Sequence, residues 1–158
     1  MPFHSGMSLV HDENGEFSPE MYQEALKDVK SVIDQGKVLL KAKQMEVNRI
    51  IQNAPEFFML GINGRELKIG IRNADMAIAS DLCSAMLDKH QDLDAMMVYV
   101  IDRRGSVKCS IRSKKDGIAN LVARHFGGGG HPNASGFVTD IDTLKNFLGV
   151  RQKLFSQT

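Results

Sequence analysis

The sequence predicts an α/β protein, with a mixed β-sheet and flanking helices preceded by a long N-terminal helical arm. Two observations predict this class. Residues 18–55 repeat apolar side chains at helical spacing, whereas from residue 57 onward short strand-like runs alternate with amphipathic helical stretches. The chain of 158 residues, with 42% apolar and 25% charged residues, has the composition of a soluble fold and the length for one core plus an arm.

The helical arm is the first predicted element, after an irregular segment at residues 1–17. Ser18 is a favourable N-cap, and Pro19 suits the first helical position. Gly36 is expected to bend or split the arm, and Pro55 to end it. The apolar stripe consists of Tyr22, Leu26, Val29, Ile33, Leu40, Val47 and Ile50. At about 1.5 Å per residue the arm would be about 50 Å long. We therefore expect the stripe to pack on a second chain or to fold back on the core of this one.

The elements after residue 55 follow from short patterns. Asn63-Gly64, between "FFMLGI" and "ELKIGIR", predicts a hairpin. The nearly continuous apolar run "AMMVYVID" predicts a central strand, and "RRG" turns the chain into the alternating strand "SVKCSIRS". Helices are predicted in "DMAIASDLCSAMLDKH", in "DGIANLVARHF" with Asp116 near its start, and in "IDTLKNFL" after the strand "ASGFVTD". The predicted order is therefore β-β-α-β-β-α-β-α.

Charge and cysteine content limit the function classes. The net charge is +1, so any anion site must be local. Cys83 and Cys109 lack metal-ligand spacing, which indicates reduced core thiols in a cytoplasmic protein. The N-terminus lacks the basic-then-apolar pattern of a signal peptide, and no run approaches about 18 apolar residues. We therefore expect no signal peptide, no membrane span and no membrane partner.

The stretch "HFGGGGHPNASGF", residues 125–137, contains four consecutive glycines followed by His131. Gly127 follows a predicted helix and suits a left-handed C-cap. A flexible linker is the plain alternative for Gly128, Gly129 and Gly130, but only a strand and one helix follow them. We therefore predict a backbone anion site, in which N–H groups without neighbouring Cβ atoms approach a phosphate and His131 donates to it.

Arg112 is the second candidate for a phosphate contact. It ends a predicted strand just before the helix that leads to the glycines, and a guanidinium binds phosphate through two parallel hydrogen bonds. The structural alternative is a surface arginine in a salt bridge. Ser110 and Ser113 are interpreted as strand-end or cap residues, and Ser113 is also a candidate phosphate contact.

The segment "SIRSKKDGIANLVARHFGGGGHPNASGF" resembles the C-terminal, DHH-associated domain of the DHH phosphoesterase superfamily. That family has a Ser-x-Arg-Ser strand, a helix, and then Gly-Gly-Gly-Gly-His-x-x-Ala-[Ala/Ser]-Gly-Phe. The match is tight over residues 110–137 and looser back to about residue 57, where Ala74 follows Asn73 in place of the family's Ser or Thr. The arm also resembles the helix that joins the two domains of such proteins.

The resemblance implies a division of the chain and a set of site residues. The division is an irregular segment at 1–17, a linker helix at 18–55, and a nucleotide- and phosphate-binding domain at 56–158. The implied phosphate contacts are Arg112, Gly128, Gly129, Gly130 and His131, with Ser113 and Asn73 as further candidates.

The catalytic part of the family pattern is missing from this sequence. In the family, a separate N-terminal domain holds two divalent metals, usually manganese, through aspartates and histidines that include an Asp-His-His motif. This sequence has no Asp-His-His, and the spacing of its five histidines does not suggest a metal pair. We therefore expect no catalytic residue and no metal in this chain, and manganese only in a partner catalytic domain.

The expected function is a module that binds a nucleotide or a short single-stranded oligonucleotide, with a cyclic dinucleotide as another ligand. Such a module would be non-catalytic alone and would sequester its ligand. The alternative is the substrate-binding half of a split or truncated, manganese-dependent phosphoesterase or exonuclease, and a remnant that folds but binds little is a third interpretation. The expected protein partners are a second copy, through the arm, or a separate DHH catalytic chain.

Overall fold

The computed structural model describes residues 18–114 and 117–149. The described residues fall into two compact units, one up to residue 49 and the other from residue 50 onward. The predicted irregular segment 1–17 and Asp116 lie outside the described residues. Among the helices of 18–114 and 117–149, none is both long and apolar enough to span a membrane.

The first unit contains two helices, α1 (Pro19–Lys27) and α2 (Val29–Ile50). The predicted start is confirmed, because Ser18 Oγ accepts a hydrogen bond from the Met21 N–H at 3.2 Å. The predicted split at Gly36 was wrong, because Gly36 lies within the continuous helix α2 and the break between the helices falls at Asp28. The Asp28 carboxylate accepts the Ser31 N–H at 3.0 Å and so begins a new helix. Helix α2 ends at Ile50, five residues before the expected end at Pro55.

The second unit is built on six strands. They are β1 (Glu56–Ile62), β2 (Arg65–Asn73), β3 (Ala95–Ile101), β4 (Val107–Arg112), β5 (Gly129–His131) and β6 (Ala134–Thr139). Their order in one sheet is β1-β2-β3-β4-β6-β5, and only β2 and β3 are parallel to each other. The sheet is therefore mixed, with β3 inside it as the sequence predicts.

Two helices connect these strands, α3 (Ala79–Lys89) and α4 (Ile118–His125), and a third, α5 (Ile141–Phe147), follows β6; a short 3₁₀ turn lies at Met76–Ile78. Helix α3 makes the long crossover that the parallel β2–β3 pair requires. The predicted hairpin is confirmed at Asn63 and Gly64, where φ is 50° and 73°. The α/β class is thus confirmed, and the difference from the predicted order is the added strand β5 within the glycine run.

The two faces of the sheet are covered differently. Helices α4 and α5 pack on one face and form the main core with Ile69, Ile71, Met97, Ile111, Phe137, Ile118, Val122, Leu144 and Phe147. Helix α3 packs on the opposite face, where Cys83 Sγ donates to the Met96 carbonyl at 3.3 Å. Beyond α3, this second face continues over β4, β6 and β5, where its side chains are small, half-buried or exposed.

Candidate functional site

The glycine run begins as the C-terminal cap of α4. Gly127 has φ +77°, and its N–H donates to the Arg124 carbonyl at 3.0 Å. The Gly128 N–H donates to the Ala123 carbonyl at 2.8 Å. These two hydrogen bonds form a Schellman motif, so the predicted capping role of Gly127 is confirmed.

Two further glycines are required by the packing of the fold itself. A Cβ added at Gly128 would lie 2.2 Å from the Gly136 carbonyl oxygen and 2.5 Å from Phe137 Cβ. Gly130 has φ +143°, and a Cβ there would lie 2.8 Å from the Ala134 carbonyl oxygen. The sequence analysis had no structural role for either residue. Because the close approach of β6 explains both, the glycine run alone is not an argument for a ligand.

Gly129 differs from its three neighbours. A Cβ added at Gly129 would meet no atom within 4 Å, and its φ is not in the left-handed region. Strand register pairs Gly129 with Gly136, and Gly136 with Ser110. Gly129 therefore adjoins open space on the face that carries Ser110, and the described residues give it no structural role.

The register brings the two predicted anchors into one row across three strands. Arg112 on β4 pairs with Ala134 on β6, and Ala134 pairs with His131 on β5. At about 4.8 Å between strands, the Cα atoms of Arg112 and His131 are about 10 Å apart, and paired residues project from the same face. We call this part of the sheet the shelf. It consists of Lys108, Ser110, Arg112, Gly129, His131, Ala134, Gly136 and Val138.

Arg112 is held along β4 by hydrogen bonds of its own strand. Its Nη1 donates to Ser110 Oγ at 3.1 Å and to the Ile111 carbonyl at 3.0 Å. Within residues 18–114 and 117–149, no carboxylate forms a salt bridge with it. Its charge acts towards α3: burial raises the pKa of the Cys83 thiol to about 12, and Arg112 opposes that rise. The guanidinium thus lies close to both Ser110 and helix α3, and its remaining N–H groups are donors for a ligand.

His131 combines an exposed side chain with a fixed backbone. The buried Ser135 hydroxyl donates to the His131 carbonyl at 2.7 Å. Asn120 Nδ2 donates to the Gly130 carbonyl at 2.7 Å and to Ser135 Oγ at 3.3 Å. Asn120 and Ser135 therefore hold β5 from the core side while the imidazole lies on the shelf side. Sequence analysis missed both residues, because this role depends on a contact between α4 and β6.

Ser113 lies in the fold rather than on the shelf. It is 7% exposed, and its hydroxyl accepts the Ala119 N–H at 3.0 Å and contacts Asn133 Oδ1 at 3.3 Å. The Gly117 N–H also donates to Asn133 Oδ1, at 3.2 Å, and the Asn120 N–H donates to the Pro132 carbonyl at 3.1 Å. Together these contacts satisfy three N–H groups around the start of α4. Ser113 supplies one of them and so has the capping role that the sequence analysis considered.

Asn73 is not brought to the shelf. It ends β2, and its Nδ2 donates to the Tyr99 carbonyl at 2.9 Å. The alternation along β2 places it on the same face as Ile69 and Ile71, opposite the shelf. Asn73 is also two strands from Arg112, so the two candidate residues do not converge.

Lys108 is a shelf residue that the sequence analysis did not single out. It is exposed, and the alternation of β4 places it on the same face as Ser110 and Arg112. Its pairing partner on β6 is Val138, which is 57% exposed. The spacing of Lys108, Ser110 and Arg112 at every second residue of a predicted strand was a signal that could have found it.

The titratable groups of the described residues do not form a metal site. No group of three or more His, Cys, Asp or Glu side chains gathers within 18–114 and 117–149 in a way that could hold a metal ion. Cys83 and Cys109 are free and buried, which confirms their predicted core position. Burial raises the pKa of Cys109 to about 12 as well.

The DHHA1 domain family matches residues 60–157, more than half of the chain. The chain therefore belongs to the DHHA1 domain family. A comparison with curated proteins found no match.

Two solved structures are similar to this chain. One is an uncharacterized protein from Helicobacter pylori G27, with 18% identity, a TM-score of 0.42, and coverage of 88% of this chain and 42% of that one. The other is a pGpG-specific phosphodiesterase, PggH, from Vibrio cholerae, with 12% identity, a TM-score of 0.44, and coverage of 75% and 39%. This chain thus spans about two fifths of the length of each.

Proposed function

We propose that this chain is a binding module for nucleotides or short single-stranded oligonucleotides, and that the shelf holds a phosphate between Arg112 and His131. The observation that carries the proposal is the shared row of these two side chains across a floor of small residues. The floor leaves room for a ligand, because Ala134, Gly136 and Gly129 have small side chains or none. The shelf itself includes no carboxylate.

The chemistry of the row suits a phosphate oxyanion. A guanidinium donates two parallel hydrogen bonds to phosphate, and an imidazole adds a third donor from the other side. Strand β5 lies at the edge of the sheet that the described residues form, so the backbone N–H groups on its outer side have no strand partner in that sheet. Each charge-assisted hydrogen bond contributes about 1.5–3 kcal/mol, which supports binding of a mono- or oligonucleotide phosphate.

The proposed module binds its ligand without cleaving it, and so sequesters it. The alternative proposal, that the chain is the substrate-binding half of a manganese-dependent phosphoesterase, uses the same shelf but requires a catalytic chain. Hydrolysis separates the two. The first proposal expects intact ligand with manganese and this chain alone, and the second expects cleavage once the catalytic chain is added.

The binding proposal is tested by titration with 5′-phosphorylated oligonucleotides in low salt. Replacing His131 with Ala removes a phosphate donor from an exposed position, so we expect binding to weaken by about 1–3 kcal/mol with an unchanged melting temperature. His125→Ala is the matched control, because His125 is also exposed but lies on α4, which packs on the opposite face. Equal affinity of the His131 and His125 variants would remove the shelf from the binding site.

A further inference from the structure

We propose that strand β1 is an interface at which two copies of this chain pair edge to edge, so that their sheets join into one. β1 lies at one edge of the sheet that the described residues form, and β5 with the shelf lies at the other. An edge strand leaves alternate backbone N–H and C=O groups without a strand partner, and a strand of a second chain can pair with them. This surface is separate from the shelf, so the proposal does not depend on the proposed function.

Strand β1 lacks the features that keep the edge strands of monomeric proteins from associating. Its seven residues, Glu56–Ile62, pair with β2 in one continuous register without a bulge, and they include no lysine and no proline. Two large apolar side chains on it are exposed, Phe57 to 55% and Met59 to 52%. Strand β5 at the other edge has only three residues and no apolar side chain. Of these two edges, β1 is therefore the one that favours association.

The length of β1 determines how two copies align. Two chains related by a two-fold axis perpendicular to the sheet pair antiparallel, and all seven residues overlap when Met59 lies on that axis. Phe57 then lies opposite the partner's Gly61. On the other face of the strand, Phe58 lies opposite the partner's Leu60. Both faces of β1 therefore gain apolar cross-strand contacts in this register.

Gly61 has a role in this pairing that it lacks in a single chain. A Cβ added there would meet no atom within 4 Å, and its φ is not in the left-handed region. Neither packing within the described residues nor backbone conformation thus requires glycine, although glycine weakens the interior of a strand. Opposite the partner's Phe57, Gly61 leaves room for the aromatic ring to lie across the backbone, an arrangement that compensates for glycine at the edge of a sheet.

Charges at the two ends of β1 are complementary across the axis. Arg65 on β2 pairs with Ile62 of its own chain, and the proposed register places the partner's Glu56 on the other side of Ile62. Arg65 and the partner's Glu56 thus lie in one row on one face, with their Cα atoms about 10 Å apart. Both side chains are exposed, and within the described residues neither forms a salt bridge. Because the two-fold axis repeats this pair, the charges favour a second copy of the chain as the occupant.

The first test is sedimentation equilibrium of the full chain from micromolar to submillimolar concentration. We expect the wild type to form a reversible dimer. Phe57→Ser/Met59→Ser should weaken dimerisation at least about tenfold, because it removes the exposed apolar side chains and keeps the backbone. Val138→Ser is the matched control and should dimerise as the wild type does, since Val138 is 57% exposed but lies on β6, towards the other edge. Thermal melting of each variant shows that it is folded.

Charge reversal tests the register. Glu56→Arg and Arg65→Glu should each weaken the dimer about three- to tenfold, because each places like charges in one row at both ends of the interface. The combination of the two should restore the dimer, since the pair then forms with its charges exchanged. A combination that fails to restore the dimer would overturn the register and with it the pairing of β1.

Two further outcomes would overturn the proposal. One is a wild type that stays monomeric over the whole concentration range. The other is a dimer that Phe57→Ser/Met59→Ser leaves unchanged and that Val38→Ser/Met45→Ser abolishes. Val38 and Met45 are exposed apolar residues of α2, so this result would assign the dimer to the helical arm instead.

Discussion

Gly129→Ala separates a role in binding from a role in folding. A methyl group at Gly129 would meet no atom within 4 Å, and its backbone φ suits alanine. We therefore expect the free energy of unfolding to stay unchanged or to rise by about 0.4–1 kcal/mol, because alanine reduces the freedom of the unfolded chain. The methyl group would, however, stand on the floor of the shelf beside the proposed phosphate. Affinity for a 5′-phosphorylated oligonucleotide should fall at least about tenfold, or about 1.4 kcal/mol.

Two other glycines serve as controls for this prediction. Gly128→Ala should cost about 1–3 kcal/mol of stability, since its Cβ would lie 2.2 Å from a backbone oxygen. Gly61→Ala places a methyl group in equally open space on β1, at the other edge of the sheet, and should change neither stability by much nor binding. The assays are thermal melting and titration of the three variants. Affinity of Gly129→Ala equal to that of the wild type would refute the interpretation of the shelf as a phosphate floor.

Two remaining predictions concern the support of the shelf. Ser135→Ala removes the buried hydroxyl that donates to the His131 carbonyl, so chemical denaturation should show a loss of about 1 kcal/mol, and an unchanged midpoint would contradict this role. The pKa values of Cys83 and Cys109 are raised from 9.0 to about 12, so the folded state binds protons that the unfolded state loses. Stability should therefore fall as the pH rises from 9.0 towards 12, and denaturation curves that do not change over this range would show that the thiols are not buried in solution.

Local sequence signals predicted the elements whose cause is local. Asn63-Gly64 predicted the hairpin because both residues tolerate positive φ, and Gly127 predicted the helix cap for the same reason. The apolar run of β3 predicted a strand inside the sheet. This is confirmed, since β3 lies between β2 and β4 and is covered by α3. Sequence analysis predicted a split at Gly36 and missed the break at Asp28. The cause of the observed break is local as well, because the Asp28 carboxylate accepts the Ser31 N–H and begins a new helix.

The causes of the glycine run were not local and could not be predicted from the segment alone. Gly128 and Gly130 are required by the backbone of β6, which follows them in the chain and returns against them. The row that joins Arg112 to His131 also depends on β6, because Ala134 pairs with both. The register places these two residues in one row of the sheet, while their role as phosphate contacts remains a prediction.

The most direct test of the proposed function is recovery of the ligand itself. The purified chain is incubated with manganese and a mixture of mono-, di- and tetranucleotides, the bound fraction is denatured, and its content is identified by mass spectrometry. We predict intact oligonucleotides from the wild type and none from the Arg112→Ala/His131→Ala double variant. Equal recovery from both proteins, or recovery of cleaved products from the wild type, would contradict a non-catalytic module that binds through the shelf.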